Sequence, residues 1–182
     1  MACVLASAYY ANAQGTVNFV NTAQSLIKLQ DGVTGVPVGQ FTVGLLYWAT
    51  DPGAVNLNGS LAAFNMIKTA TLFSTPGRFI GGTATTPTTT PAGSPAYFAV
   101  VAWQTSFGSY DATRTGQGLY GWSSVFQNPT GNPNASPPVP AQALSAAFTG
   151  ITVTQVPEPS VIALAALGFG ALLLRRRKVA NQ

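Results

Sequence analysis

Tyr97-Phe98-Ala99-Val100-Val101-Ala102-Trp103-Gln104 is the stretch whose pattern decides the fold. Read as a strand, it puts Tyr97, Ala99, Val101 and Trp103 on one face and Phe98, Val100 and Ala102 on the other. It is the strongest strand candidate in the chain. Apolar residues on both faces predict a central strand covered on each side, or one facing a partner sheet and a large loop.

A second segment, Phe41-Thr42-Val43-Gly44-Leu45-Leu46-Tyr47-Trp48, places Phe41, Val43, Leu45 and Tyr47 on one face, and Asp51-Pro52-Gly53 then punctuates it as a turn. Weaker strands are expected at Thr16–Val20, Ser25–Gln30, Met66–Phe73, Trp122–Phe126 and Ala147–Thr154. Gly, Pro, Asn and Thr separate them, which predicts an all-β fold, a single β-sandwich of immunoglobulin-like or jelly-roll-like type over residues 14–155. Leu57–Ile67 has the spacing of one short helix. Gly81–Pro95 and Asn128–Pro140 are Pro-broken and polar, and both are expected to be exposed connections, the first also being a candidate for O-glycosylation. No fixed-period repeat points to a solenoid or propeller.

The last segment, residues 156–182, has a different character. Val156-Pro157-Glu158-Pro159 is followed by an apolar run, Ser160–Leu174, and then by Arg175-Arg176-Arg177-Lys178. Val161–Leu174 carries no charge and as a helix would span roughly 21 Å, short of the ~30 Å hydrocarbon core of a bilayer. Pro159 suits a first helical turn, Glu158 the positive helix end, and the arginines the negative end, from which they can snorkel and lengthen the span. A single C-terminal transmembrane helix is therefore expected, with the basic cluster as stop-transfer signal. Basic residues after the helix predict N-out, C-in topology.

The N-terminus agrees with export. Ala2–Ala8 is small and apolar, and Ala11-Asn12-Ala13 before Gln14 has the form of a signal-peptide cleavage site. No Lys or Arg precedes the apolar stretch, so residues 1–13 are expected to be part of a signal peptide for Sec-type export machinery. The alternative is an ordinary hydrophobic N-terminal strand.

This C-terminal order of elements resembles the PEP-CTERM protein-sorting signal found on many exported bacterial proteins. The resemblance covers residues 156–182, and the helix is short for the pattern. It implies that Val156, Pro157, Glu158 and Pro159 are the sorting and processing motif. It also implies that exosortase, a membrane-embedded processing enzyme, is a partner. The protein would be anchored in the inner membrane before processing, then released or transferred to the cell surface or the extracellular matrix and its exopolysaccharide. A plain single-pass anchor is the competing reading of the same tail. Val100–Phe126 also resembles a β-sandwich core of other PEP-CTERM proteins, through Ala102-Trp103, Gly108-Ser109-Tyr110-Asp111 and Tyr120-Gly121-Trp122.

Charge distribution narrows the function classes. The formal net charge is +4, but the Arg175–Lys178 cluster and Glu158 together account for most of it. The remainder has Lys28, Lys68, Arg78 and Arg114 against Asp31, Asp51 and Asp111, with no basic patch. Nucleic acid is not an expected partner. The chain has no His, and its single Cys, Cys3, lies in the expected signal. Catalytic triads and the usual zinc sets are thereby unavailable to the domain, no cofactor or metal is expected, and the protein is read as not an enzyme. Two of the three aspartates meeting in space would be the only route to a carboxylate pair, and each sits beside turn residues that favour local hydrogen bonding.

Aromatics are the remaining hint of recognition. Trp48, Tyr110, Tyr120 and Trp122 lie at strand ends or in the Gly-rich stretch 108–121 and are candidate glycan contacts, because a ring joins a broad apolar face to polar edges. Core packing is the alternative. The expected function is a non-enzymatic surface or matrix protein of structural or adhesive type, and the alternative is a carbohydrate-binding module.

Overall fold

The structure, a computed structural model, describes residues 14–71, 75–144 and 148–155, together with residue 167. The expected signal peptide (1–13) and the expected sorting segment (156–182, residue 167 apart) lie outside the described residues.

Among the described residues of the domain, ten strands and one short α-helix follow in chain order: β1 Thr16–Val20, β2 Ile27–Lys28, β3 Phe41–Trp48, β4 Asn65–Thr71, β5 Ile80–Thr85, β6 Ala96–Gln104, α1 Tyr110–Thr115, β7 Tyr120–Trp122, β8 Phe126–Asn128, β9 Gln142–Ala143 and β10 Ile151–Thr152. The fold is all-β in character. One sheet has the order β4-β3-β6-β7, with β8 also pairing to β6; a second is β5-β1-β9, and a third is β10-β2. Among the described residues no sheet closes on itself. Two pairings, β1 with β9 and β10 with β2, are parallel.

The strands β3 and β6 pair antiparallel over their full length, from Phe41 opposite Gln104 to Trp48 opposite Tyr97. This register puts Phe41, Val43, Leu45 and Tyr47 on the same face as Phe98, Val100 and Ala102. There they meet Val17 and Phe19 of β1, Ile27 of β2, Ile151 of β10, and Phe79 and Phe148 in one buried core. The opposite face carries Leu46, Ala99, Val101 and Trp103, and it is buried too. Its cover is the 50–64 connection, through Leu57 and Leu61, and the helix α1 with β7, through Tyr110 and Tyr120. A partner layer on one side and a large loop on the other is one of the two arrangements expected from the double-sided pattern of Tyr97–Gln104.

Three local expectations are corrected. Gly81–Pro95 is not all connection, because Ile80–Thr85 forms β5 against β1, with Ala84 opposite Val17. The strand was hidden because Gly81 has no side chain to show alternation. A Cβ there would lie 2.5 Å from the Phe19 ring, so the glycine is what lets that ring into the core. Leu57–Ile67 is not helical. Asn58 N–H bonds to Asn56 Oδ1 at 3.1 Å, and the turn that follows is held from outside by Asp111. Leu57 and Leu61 are buried as the spacing suggested, but as the plug of a loop. Trp122–Phe126 is interrupted into β7 and β8. There the Ser123 hydroxyl accepts the Val100 N–H at 2.9 Å and the Ser123 N–H donates to the Val100 carbonyl at 2.8 Å.

Among the described residues no helix is long and apolar enough to cross a membrane, and the helix expected over 160–174 falls outside them apart from residue 167.

Candidate functional site

The site that the chain's organisation points to is the last described stretch before the Val156-Pro157-Glu158-Pro159 tail. After β10, Val153 N–H donates to the Lys28 carbonyl at 2.8 Å, so the strap follows β2. One residue on, it turns to β7: Tyr120 N–H donates to the Thr154 carbonyl at 3.1 Å, and Thr154 N–H returns a bond to the Tyr120 carbonyl at 2.9 Å. Ile151 and Val153 fill the core below. Gly121 makes room for the strap, since a Cβ on it would lie 2.6 Å from the Thr152 carbonyl oxygen. The fold therefore grips the chain up to Thr154. Only Gln155, which is exposed, separates that grip from Val156. The motif residues Val156, Pro157, Glu158 and Pro159 and the stop-transfer residues Arg175, Arg176, Arg177 and Lys178 lie outside the described residues.

The four candidate glycan contacts separate. Tyr110 is buried against Trp103 (6.3 Å, edge-on) and Tyr120 (5.3 Å, edge-on), and its hydroxyl donates to the Leu57 carbonyl at 2.7 Å. Tyr120 is buried as well, with its hydroxyl on Asn58 Oδ1 at 2.9 Å. Burial pushes both phenols above their ordinary pKa, that of Tyr110 the further. Neither ring has a face free to stack on a sugar, so these two pin the 50–64 loop to the sheet. Trp122, stacked on Tyr120 at 6.0 Å, and Trp48, edge-on to Phe64 at 5.9 Å, are half-buried and keep part of their surface open.

The carboxylates hold loops. Asp31 accepts from Val33 N–H and Thr34 N–H, and from the Thr34 hydroxyl, which with the main-chain bonds holds its pKa below the ordinary carboxylate value. Asp51 accepts from Gly53 N–H at 2.8 Å, and Gly53 takes the positive φ that closes the turn. Asp111 is less local than its turn-like setting suggested: its two oxygens accept from the Ser60 hydroxyl at 2.7 Å and Leu61 N–H at 3.0 Å. Sequence alone gave no signal for that contact, which bridges 50 residues. Among the described residues no group of three or more His, Cys, Asp or Glu side chains could hold a metal ion.

Comparison with known proteins supplies a family match on the tail. Residues 155–178 match the family model described as the PEP-CTERM protein-sorting motif. Neither curated proteins nor solved structures give a match to the chain. The chain thus carries, directly after the strap gripped by Tyr120, a PEP-CTERM protein-sorting motif that marks it as an exported, exosortase-sorted protein.

Proposed function

We propose that the protein is a non-enzymatic structural or adhesive component of the cell surface or its exopolysaccharide matrix. The observation that carries this reading is the sorting motif at residues 155–178, set immediately after a folded β domain. In this reading Sec-type machinery exports the chain and residues 1–13 are removed as a signal. The helix over 160–174 holds the precursor in the inner membrane with its folded domain outside, stopped by Arg175–Lys178. Exosortase then processes it near Pro157-Glu158-Pro159, and the domain passes to the surface. A short span with a cationic end suits a temporary hold. The domain, read as a β-sandwich whose second layer is split into two small sheets, would be the delivered part. Its three carboxylates are engaged in holding loops, which supports a structural role over a catalytic one.

Replacing Pro157, Glu158 and Pro159 together by alanine tests the reading. The expected result is an uncleaved precursor retained in the membrane fraction; unchanged mass and unchanged surface yield would overturn it. A second reading, a carbohydrate-binding module, is favoured by the partly open rings of Trp48 and Trp122. It requires Trp48→Ala or Trp122→Ala to leave the domain folded while abolishing retention on polysaccharide.

A further inference from the structure

The end of the fold from which the chain leaves is also where large apolar side chains stand in solvent. β3 begins and β6 ends there, since Phe41 lies opposite Gln104 and Thr105 N–H donates to the Gln40 carbonyl at 2.9 Å. Val38, in the turn before β3, is 46% exposed, and Phe107, in the turn after β6, is 37% exposed. β7 starts at the same end, with Gln104 N–H on the Leu119 carbonyl at 3.1 Å. Because Thr154 pairs antiparallel with Tyr120, Gln155 follows on the Leu119 side, toward this end. β2 runs parallel to β10, Ile27 beside Ile151 and Lys28 beside Thr152, so the turn that follows β2 projects the same way. At its tip Val33 is 78% exposed. Three of the exposed large apolar residues of the folded domain thus surround the exit of a chain that continues into an apolar segment.

The chemistry between them suits a bilayer surface. Thr34, Gln40, Thr105, Ser106 and Gln117 are exposed, polar and uncharged. The carboxylate of this rim, Asp31, is turned back onto its own loop by three hydrogen bonds. Exposed valine and phenylalanine at loop tips, set among mostly uncharged hydrogen-bonding groups with Asp31 and Lys28 close to one another at one side, match the layered polarity of headgroups over acyl chains. Reach makes the contact hard to avoid. From Thr154 to Ser160 the chain can extend at most about 20 Å, of which a headgroup layer takes roughly 5–8 Å. A tether this short holds the rim at a high effective concentration against the membrane, so a weak contact suffices.

We infer that this rim, Val33, Val38 and Phe107 around the exit of the strap, docks on the lipid headgroup layer while the chain is anchored. The domain then stands in a fixed orientation, with the sorting motif presented at the membrane surface. The inference rests on residues 160–174 acting as the membrane segment.

The full chain, in a Cys3→Ser background that removes its one cysteine, is reconstituted into phosphatidylcholine–phosphatidylglycerol vesicles with a fluorophore on Val33→Cys. The control carries it on Ala54→Cys, beyond the far end of β3. Brominated lipids are expected to quench the label at Val33 and to leave that at Ala54 bright. Carbonate extraction of the same vesicles reports integration. A chain that integrates but shows equal, weak quenching at both positions overturns the docking alone. A chain that extracts as a peripheral protein overturns the membrane reading as well. Shielding of Val33 from aqueous iodide without quenching by lipid would assign the rim to a second copy of the chain and would also overturn the inference.

Discussion

Thr154 and Tyr120 exchange both of their main-chain hydrogen bonds, at 2.9 and 3.1 Å, and so close the fold two residues before the sorting motif's valine. Thr154→Pro removes the donor to the Tyr120 carbonyl. Loss of one partner of such a pair costs about 1–3 kcal/mol, which for a chain of this size lowers Tm by about 2–4 °C per kcal/mol. Thermal unfolding followed by circular dichroism measures this. Amide exchange at Tyr120 should rise with it while exchange at Val100, deep in the central sheet, stays slow.

Two glycines that look alike in sequence are expected to respond differently to alanine. At Gly121 the new methyl would meet main chain, the Thr152 carbonyl at 2.6 Å, and the strap would have to move. At Gly44 the nearest atoms are the thioether end of Met66, at 2.8 Å, which can swing away. Gly121→Ala should therefore cost roughly 2 kcal/mol or more, within the range of overpacking, and Gly44→Ala under about 1.5 kcal/mol. Urea midpoints rank the two directly, and equal losses would refute the assignment of the strap.

Asn21 is fully buried and ties its own turn to the stretch from Gly77 to Phe79. Its Nδ2 donates to the carbonyls of Ser25 and Gly77, each at 2.9 Å, and its Oδ1 accepts from Phe79 N–H at 2.8 Å. Asn21→Ala leaves the Ser25 carbonyl and the Phe79 N–H without partners and strips the Gly77 carbonyl of one of its two, the other being the Ile27 N–H at 3.0 Å, and it should destabilise the fold by about 2 kcal/mol or more. Asn21→Asp should be comparably severe at neutral pH, because it sets carboxylate oxygens against two carbonyls. Denaturant unfolding of both variants checks this.

Much of this architecture was legible in the chain, and the failures share a cause. Phe41–Trp48 and Tyr97–Gln104 announced themselves because their side chains alternate and both faces are apolar. The strand at Ile80–Thr85 did not, since its fit depends on the absence of a side chain at Gly81 and on main-chain pairing to β1. Leu57 and Leu61 gave a helical spacing that is real as burial and misleading as secondary structure. What folds that loop is Asp111, far away in sequence. The same holds for the aromatics: a tyrosine in a Gly-rich stretch looks exposed until the loop that covers it is in place. The tail was readable for the opposite reason, because proline, carboxylate, apolar run and cations follow one another along the chain and are recognised without any tertiary contact.

Asp31 gives the acid side of the stability profile a specific contributor. Bonds from the Thr34 hydroxyl and from the main-chain N–H groups of Val33 and Thr34 depress its pKa in the folded state. A depressed carboxylate contributes stability that is present above its unfolded value, about 3.9, and is lost as pH falls through the folded value. Wild-type protein should thus lose urea resistance below about pH 4 more steeply than Asp31→Asn, and the two curves should run parallel above about pH 5. Parallel acid limbs would remove Asp31 from the explanation.

Separating the domain from its tail is the sharpest test of how the two cooperate. An insertion of eight Gly-Ser residues between Gln155 and Val156 leaves the strap, the Tyr120 pairing and the sorting motif unaltered. It adds up to about 28 Å of reach, more than the whole present tether. Folding stability should be unchanged, because no buried contact is touched. Lipid quenching at a Val33-attached label should fall, because a flexible tether lowers the effective concentration of the rim at the bilayer. Cleavage by exosortase should persist if the motif alone is recognised, and slow if the enzyme also uses the upright domain. Mass spectrometry of the surface fraction over time separates these outcomes. Undiminished quenching with the long tether would show that the rim binds lipid without help from the anchor.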